Sequence, residues 1–205
     1  MKKLLIGLGL LGILINYTSC LLLDITTTAV TSAALIEERS VGNIIDDNVD
    51  VNSIRIKLYK QGRIFKNVHV EVFEGRVLLT GKVGTEELKL KIEESIWKIP
   101  RVSEIINELI IDNTFSLKAS EEMNDYMKDS WILSKVRSKI LFSSRVKALN
   151  YRAAVYRGNV YLIGLAQDQK EIEGILRVVS SIRDIEKLHS FIILTGDIRR
   201  DRALM

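Results

Sequence analysis

The segment VFEGRVLLTGKVGT (72–85) returns as VYRGNVYLIGLAQD (155–168), a constant 83 residues later. Gly75 corresponds to Gly158, Val77 to Val160 and Gly81 to Gly164. The offset carries on without a gap through Ile92/Ile175, Ile96/Val179, Ile99/Ile182, Val102/Ile185 and Ile105/Leu188. One small α/β unit is therefore used twice. A unit of roughly 70 residues lies near the lower size at which one core is comfortably stable, so the two are expected to pack together. It also leaves no room for a deep active site, which makes surface binding the first expectation.

In the first repeat, Asp46 and Asp47 precede a helix with apolar residues at Val51, Ile54 and Leu58. Val68, Val70 and Val72 alternate with His69, Glu71 and Phe73 as a half-buried strand. Glu74-Gly75 makes a tight turn into a second strand, Val77–Val83. Thr85 caps a helix with the stripe Leu88, Ile92, Ile96 and Ile99 and with Glu86 and Glu87 in its first turn. Pro100 stops it, and Val102–Ile111 forms a third strand. The order is αββαβ. The second repeat is expected to run as a helix from about Ser130 to Leu141, strands at Arg152–Val155 and Asn159–Leu165 with the turn Arg157-Gly158, a helix opened by an Asp168/Glu171 capping box, and a last strand Asp184–Leu194. The repeats then occupy 39–112 and 130–195, joined by a polar linker at 113–129 and followed by a basic tail, 196–205, expected to be mobile.

The first residues stand apart. Met1-Lys2-Lys3 supplies a positive start, Leu4–Ile15 a short apolar run, and Asn16–Ser19 the polar, small-residue stretch that precedes cleavage. Residues 1–19 read as a signal peptide ending on Cys20, the only cysteine in the chain. A cysteine in that place suggests a bacterial lipoprotein, in which the thiol is acylated and residues 20–38 form a tether. The alternative is an uncleaved anchor, since Leu21–Leu23 lengthens the apolar run. Either way the same globule is tied to a membrane. Gly7, Gly9 and Gly12 match a dinucleotide-binding spacing, but inside a leader they carry no such meaning.

Removing residues 1–19 takes away two lysines and no acids, so the mature chain is close to neutral and its charge argues for no nucleic acid. The halves differ: residues 20–117 hold 12 basic and 15 acidic residues, and 118–205 hold 16 and 11. Between Trp131 and Gln167 come Lys135, Arg137, Lys139, Arg145, Lys147, Arg152 and Arg157, with no acid among them. On a helix turning about 100° per residue, Ile132, Leu133, Val136 and Ile140 share a core-facing stripe. Trp131, Lys135, Ser138, Lys139 and Phe142 share the opposite side. Aromatic and cationic groups on one outward face describe an interfacial helix, with the indole at headgroup level and lysines meeting phosphate.

Arg39-Ser40-Val41-Gly42 followed by Asp46-Asp47, the Gly75-x-Val77-x-Leu79-x-Gly81 and Gly158-x-Val160-x-Leu162-x-Gly164 patterns, and Trp131-Ile132 with Lys135–Ser138 together resemble the BON family. Within it, the likeness is greatest to outer-membrane lipoproteins carrying two BON domains that bind anionic phospholipid at the division site. The resemblance runs from Cys20 to about Leu194. It implies an α+β fold of two tandem αββαβ units, each a three-stranded mixed sheet packed against two helices, with structural glycines at Gly75, Gly81, Gly158 and Gly164. It also implies lipid contact through the second unit's first helix, at Trp131, Lys135, Val136 and Arg137; Lys139 and Phe142 join them by the face argument.

The expected function is non-enzymatic: a lipid-anchored protein on the periplasmic face of the outer membrane (alternatively the inner membrane) that binds phosphatidylglycerol or cardiolipin and supports outer-membrane integrity. The alternative is an envelope scaffold whose basic face meets an acidic protein partner or a cell-wall polymer. His69 and His189 have no second histidine or cysteine at metal spacing, so no metal and no cofactor is expected. Gly81-Lys82-Val83-Gly84 matches a nucleic-acid-binding G-x-x-G, but it ends a strand and is discarded.

Overall fold

The computed structural model describes residues 41–60, 67–112, 119–143 and 146–201. All belong to one compact body, which spans 38–205. In chain order the elements are α1 (Val41–Lys60), β1 (Val68–Phe73), β2 (Arg76–Val83), α2 (Glu86–Trp97), β3 (Glu104–Ile111), α3 (Ala119–Leu141), β4 (Tyr151–Tyr156), β5 (Asn159–Ala166), α4 (Gln169–Ser180), β6 (Lys187–Leu194) and the short α5 (Ile198–Asp201). Two three-stranded sheets result, β1-β2-β3 and β4-β5-β6. In each, a hairpin joins the first two strands antiparallel and the helix that follows returns the third parallel to the second.

Both hairpins turn on two residues of positive φ, Glu74 with Gly75 and Arg157 with Gly158, the signature of the turn whose twist suits paired strands. Each turn is held by an aspartate from the repeat's first helix. The Asp47 carboxylate accepts from the Glu74 N–H at 3.1 Å, and Asp129 accepts from Arg157 and Gly158 at 2.7 and 2.8 Å. These aspartates are 82 residues apart, as are the core residues Ile54/Val136 and Leu58/Ile140. The strands keep 83, so the second repeat has one more residue between its first helix and first strand.

β2 and β5 are buried along almost their whole length because both of their faces are covered. Val77, Leu79 and Val83 face the helices of the first repeat, with Ile54, Leu58, Ile92 and Ile96. Val160, Leu162 and Ala166 do the same with Ile132, Val136, Ile140, Ile175 and Val179. The opposite sheet faces meet each other: Phe73, Leu78 and Ile106 pack with Ala154, Tyr161, Ile163, Leu165 and Ile193 in a third core. The repeats thus form a single body joined sheet to sheet.

Four boundaries differ from the sequence expectation, the first being α1, which begins at Val41, so Asp46 and Asp47 lie inside the helix they were expected to precede. α3 begins at Ala119, so part of the expected linker at 113–129 is helix. Residues 122–128 are exposed all round, and a helix without a buried stripe carries no apolar period to announce it. The last strand starts at Lys187 rather than Asp184, and the third at Glu104 rather than Val102. In the tail expected to be mobile, the described residues 196–201 include α5 and are tied down through Arg199 and Arg200. Arg200 donates to Glu74 at 2.8 and 3.1 Å, and Arg199 lies 3.8 Å from Glu104. The Asp168 cap accepts from the Glu171 N–H at 2.8 Å as expected of a capping box. The Glu171 carboxylate departs from that motif by accepting from the N–H groups of Gln167 and Lys147.

Candidate functional site

α3 packs its inner stripe, Ile132, Val136 and Ile140, into the second repeat's core and leaves the other side to solvent. Along that side Met123, Met127 and Trp131 follow at four-residue steps, and Leu141 and Phe142 extend the apolar row past Ser134 and Ser138. Trp131 is 51% exposed, Met127 62% and Phe142 84%. Beside this row runs a second one of Lys128, Lys135 and Lys139. No described helix is long and apolar enough to cross a membrane, so α3 offers a surface and not a span.

Each of these lysines reaches a group outside α3, and Lys135 also meets the Trp131 ring on its own helix. The Lys135 Nζ stands 3.1 Å from the centre of the Trp131 ring and 3.2 Å from the Asp184 carboxylate. Lys139 donates to the Ser181 hydroxyl at 3.0 Å, and Lys128 lies 3.7 Å from Glu186. Between α3 and the loop that follows α4 is a groove of about 460 Å³, lined by Trp131, Ser134, Lys135, Ser138, Lys139 and residues 181–184.

Trp131, Lys135 and Lys139 therefore come together around this groove, and Phe142 lies farther along the same helix face. Val136 and Arg137 do not join them. Val136 is fully buried in the core, so it touches no surface while the domain is folded. Arg137 sits on the other flank, within electrostatic reach of Glu71 on β1. Two more of the seven basic residues also turn toward the first repeat. Arg152 lies over the Phe73 ring, and Arg157 pairs with Asp112 at 2.7 Å. The acid-free stretch is acid-free only along the chain. Cys20 and Arg145 lie outside the described residues.

The structural glycines act where the backbone demands them. Gly75 and Gly158 supply the positive φ of the turns. A Cβ on Gly81 would overlap the Asn67 carbonyl, and one on Gly164 the Asn150 carbonyl, where each hairpin's partner chain begins.

A second cleft, about 240 Å³, lies between the β1–β2 end of the first repeat and the N-terminal half of α3, with His69, Tyr126, Asp129 and Tyr156 in its wall. Of its three carboxylates, Asp129 is engaged by the turn and Glu122 by Lys82 at 3.1 Å, while Asp125 also lines the wall. Burial, with Arg55 adding to it and Asp129 opposing, lowers the His69 pKa and favours the neutral ring. His189 stacks on Tyr161 with ring centres 4.7 Å apart. Among the described residues no group of three His, Cys, Asp or Glu side chains is placed to hold a metal ion.

The family model for the BON domain matches this chain twice, at residues 34–113 and 128–196. The chain belongs to the BON domain family. It is 31% identical over 150 residues to an uncharacterised protein from the gshII 5′ region of Anaplasma centrale, spanning 73% of this chain and 95% of that one. It is 28% identical over 190 residues to the outer membrane lipoprotein DolP of Haemophilus influenzae, covering 92% and 93% of the two. A 21 kDa hemolysin of Actinobacillus pleuropneumoniae is 25% identical over 162 residues, covering 74% and 80%. The two matched regions coincide with the two αββαβ repeats, so the tandem BON architecture expected from the residues is the one observed. Two parts of the surface left no mark in the sequence pattern. Met123 and Met127 sat in the supposed linker, and Ser181, Arg183 and Asp184 around the buried Ile182 had no pattern that tied them to α3.

Proposed function

We propose that this BON protein is an envelope lipoprotein of the DolP type that binds anionic phospholipid through the outward face of α3, without catalysing a reaction. The observation that carries the reading is the pairing of rows on that face: Met123, Met127, Trp131 and Phe142 exposed in line, with Lys128, Lys135 and Lys139 beside them. An interfacial helix needs this combination, apolar groups to enter the acyl boundary and cations to meet phosphate. Each lysine near an anionic leaflet contributes on the order of 1 kcal/mol. Such binding is weak for a free protein and effective for one already tethered through Cys20. The exposed helix face, the leader ending on Cys20 and the likeness to an outer membrane lipoprotein support the same placement, on the periplasmic side of the outer membrane.

The test is flotation of residues 38–205, the compact body, with vesicles rich in phosphatidylglycerol or cardiolipin and with neutral vesicles. Binding to the anionic set alone is expected, weakened by salt and lost in a folded Trp131→Glu variant. Half of the Trp131 surface faces solvent, so the substitution leaves the fold intact by circular dichroism. Absence of binding to either set would make the face a docking surface for an acidic envelope partner.

A further inference from the structure

The groove beside α3 contains a place for an ammonium group, and the protein fills it itself. The Lys135 Nζ lies 3.1 Å from the Trp131 ring centre and 3.2 Å from the Asp184 carboxylate. An aromatic face opposite a carboxylate is the arrangement that binds a choline or ethanolamine headgroup. The rest of the groove has the opposite character. Lys139 is bonded to a neutral hydroxyl, Ser181, and that hydroxyl itself donates to the Val178 carbonyl at 2.7 Å. Arg183 has no carboxylate partner among the described residues, and Ser134 and Ser138 add hydroxyls from α3. Three cations and one carboxylate leave the groove net positive. The phosphate position is open while the ammonium position is taken.

We infer that the groove is a phosphodiester headgroup site in which Lys135 acts as a built-in ammonium, selecting headgroups that are anionic and hydroxylated over zwitterionic ones. The inference rests on the membrane-binding reading and gives it a basis for discrimination. A phosphatidylglycerol headgroup brings one negative charge for Lys139 and Arg183 and has no cation to place. A phosphatidylcholine or phosphatidylethanolamine headgroup brings the same phosphate with a cation whose position Lys135 already occupies. The Lys135–Asp184 pair is exposed on both sides. Holding it shut costs little, and its strength alone does not explain its place.

The experiment titrates residues 38–205 with monomeric dihexanoyl-phosphatidylglycerol, dihexanoyl-phosphatidylcholine, phosphorylcholine and inorganic phosphate. The readouts are the Trp131 indole resonance and the amides of 181–184. The wild-type protein is expected to respond saturably to the glycerol lipid and at least about tenfold more weakly to the choline lipid. Lys135→Ala is expected to gain choline-lipid binding by about tenfold. Lys135→Ala with Trp131→Ala is expected to lose that gain. If Lys135→Ala only weakens the glycerol lipid and gains nothing for choline, Lys135 is a plain surface cation and the selectivity proposal is overturned. If inorganic phosphate reproduces the glycerol-lipid response at equal concentration, the groove is a free-anion site and the proposal fails as well. A wild-type chain that responds to no lipid and floats with no vesicle would sink the membrane reading itself. Intact vesicle binding with an unchanged lipid preference in Lys135→Ala would sink only this inference.

Discussion

Glu71 sits on β1, partly buried where the repeats meet, with Arg137, Arg55 and Arg152 around it. Burial raises its pKa, and the three arginines oppose that without overcoming it. A carboxyl whose folded pKa lies above its unfolded value stabilises the fold below the unfolded pKa, and that contribution is lost as the pH rises through the folded one. Glu71→Gln is therefore expected to raise the melting temperature at neutral pH, with the difference from wild type disappearing in acid; thermal melts across the pH range check it. The glycines make a sharper case. Gly81 has φ +114° and a carbonyl where its Cβ would be, whereas Gly84 has nothing within 4 Å of that position. Gly81→Ala should cost about 2 kcal/mol or more, and Gly84→Ala should change chemical-denaturation midpoints little. Equal costs at the two positions would mean that the hairpin relaxes around an added methyl.

At the scale of the element, α3 decides what the molecule presents. Its C-terminal half was legible because a helix that buries Ile132, Val136 and Ile140 must write that stripe at helical spacing, and the outward Trp131 and lysines follow by subtraction. Its N-terminal half was not legible, since Met123, Tyr126 and Met127 are exposed and no core position fixes their period. The resemblance placed Val136 at the lipid for a similar reason, because a family motif records neighbours in sequence without recording which side of the helix each one takes. If the helix meets a bilayer along its length, Met127→Asp should reduce vesicle binding several-fold while leaving stability within about 0.5 kcal/mol, as expected of an exposed side chain. Binding equal to wild type would restrict contact to Trp131 and the turns after it. The loop at 181–184 reaches the site only through the fold, since it lies some 50 residues from Trp131 in the chain.

The two repeats are held together between the sheets, and the near-continuous apolar run of β5 is the sequence mark of that second covered face, whereas Arg76, Thr80 and Lys82 interrupt β2. Polar ties cross the same boundary. Arg76 is 1% exposed, pairs with Glu104 and donates to the Phe191 carbonyl at 2.9 Å, while Arg200 clasps the nearly buried Glu74 through two bonds. Asp197 holds the turn before α5, accepting from the Arg199 backbone N–H and side chain, which lowers its pKa to about 2. The Asp197–Arg199 contact is therefore expected to persist into acid below the usual carboxylate range. Two repeats sharing one core should unfold as one. Calorimetry of residues 38–205 is expected to show a single transition whose calorimetric and van't Hoff enthalpies agree. Arg200→Ala should lower the stability of that one transition by about 2 kcal/mol, the size of a hydrogen-bonded charge at a partly buried site. Leu78→Asp, which places a carboxylate in the shared core, should split the transition by destabilising the contact between repeats more than either helix-facing core. Two transitions in the wild-type chain would mean that each BON repeat stands on its own helix-facing core. The shared face would then be a docking contact, and a membrane-bound second repeat could swing free of the first.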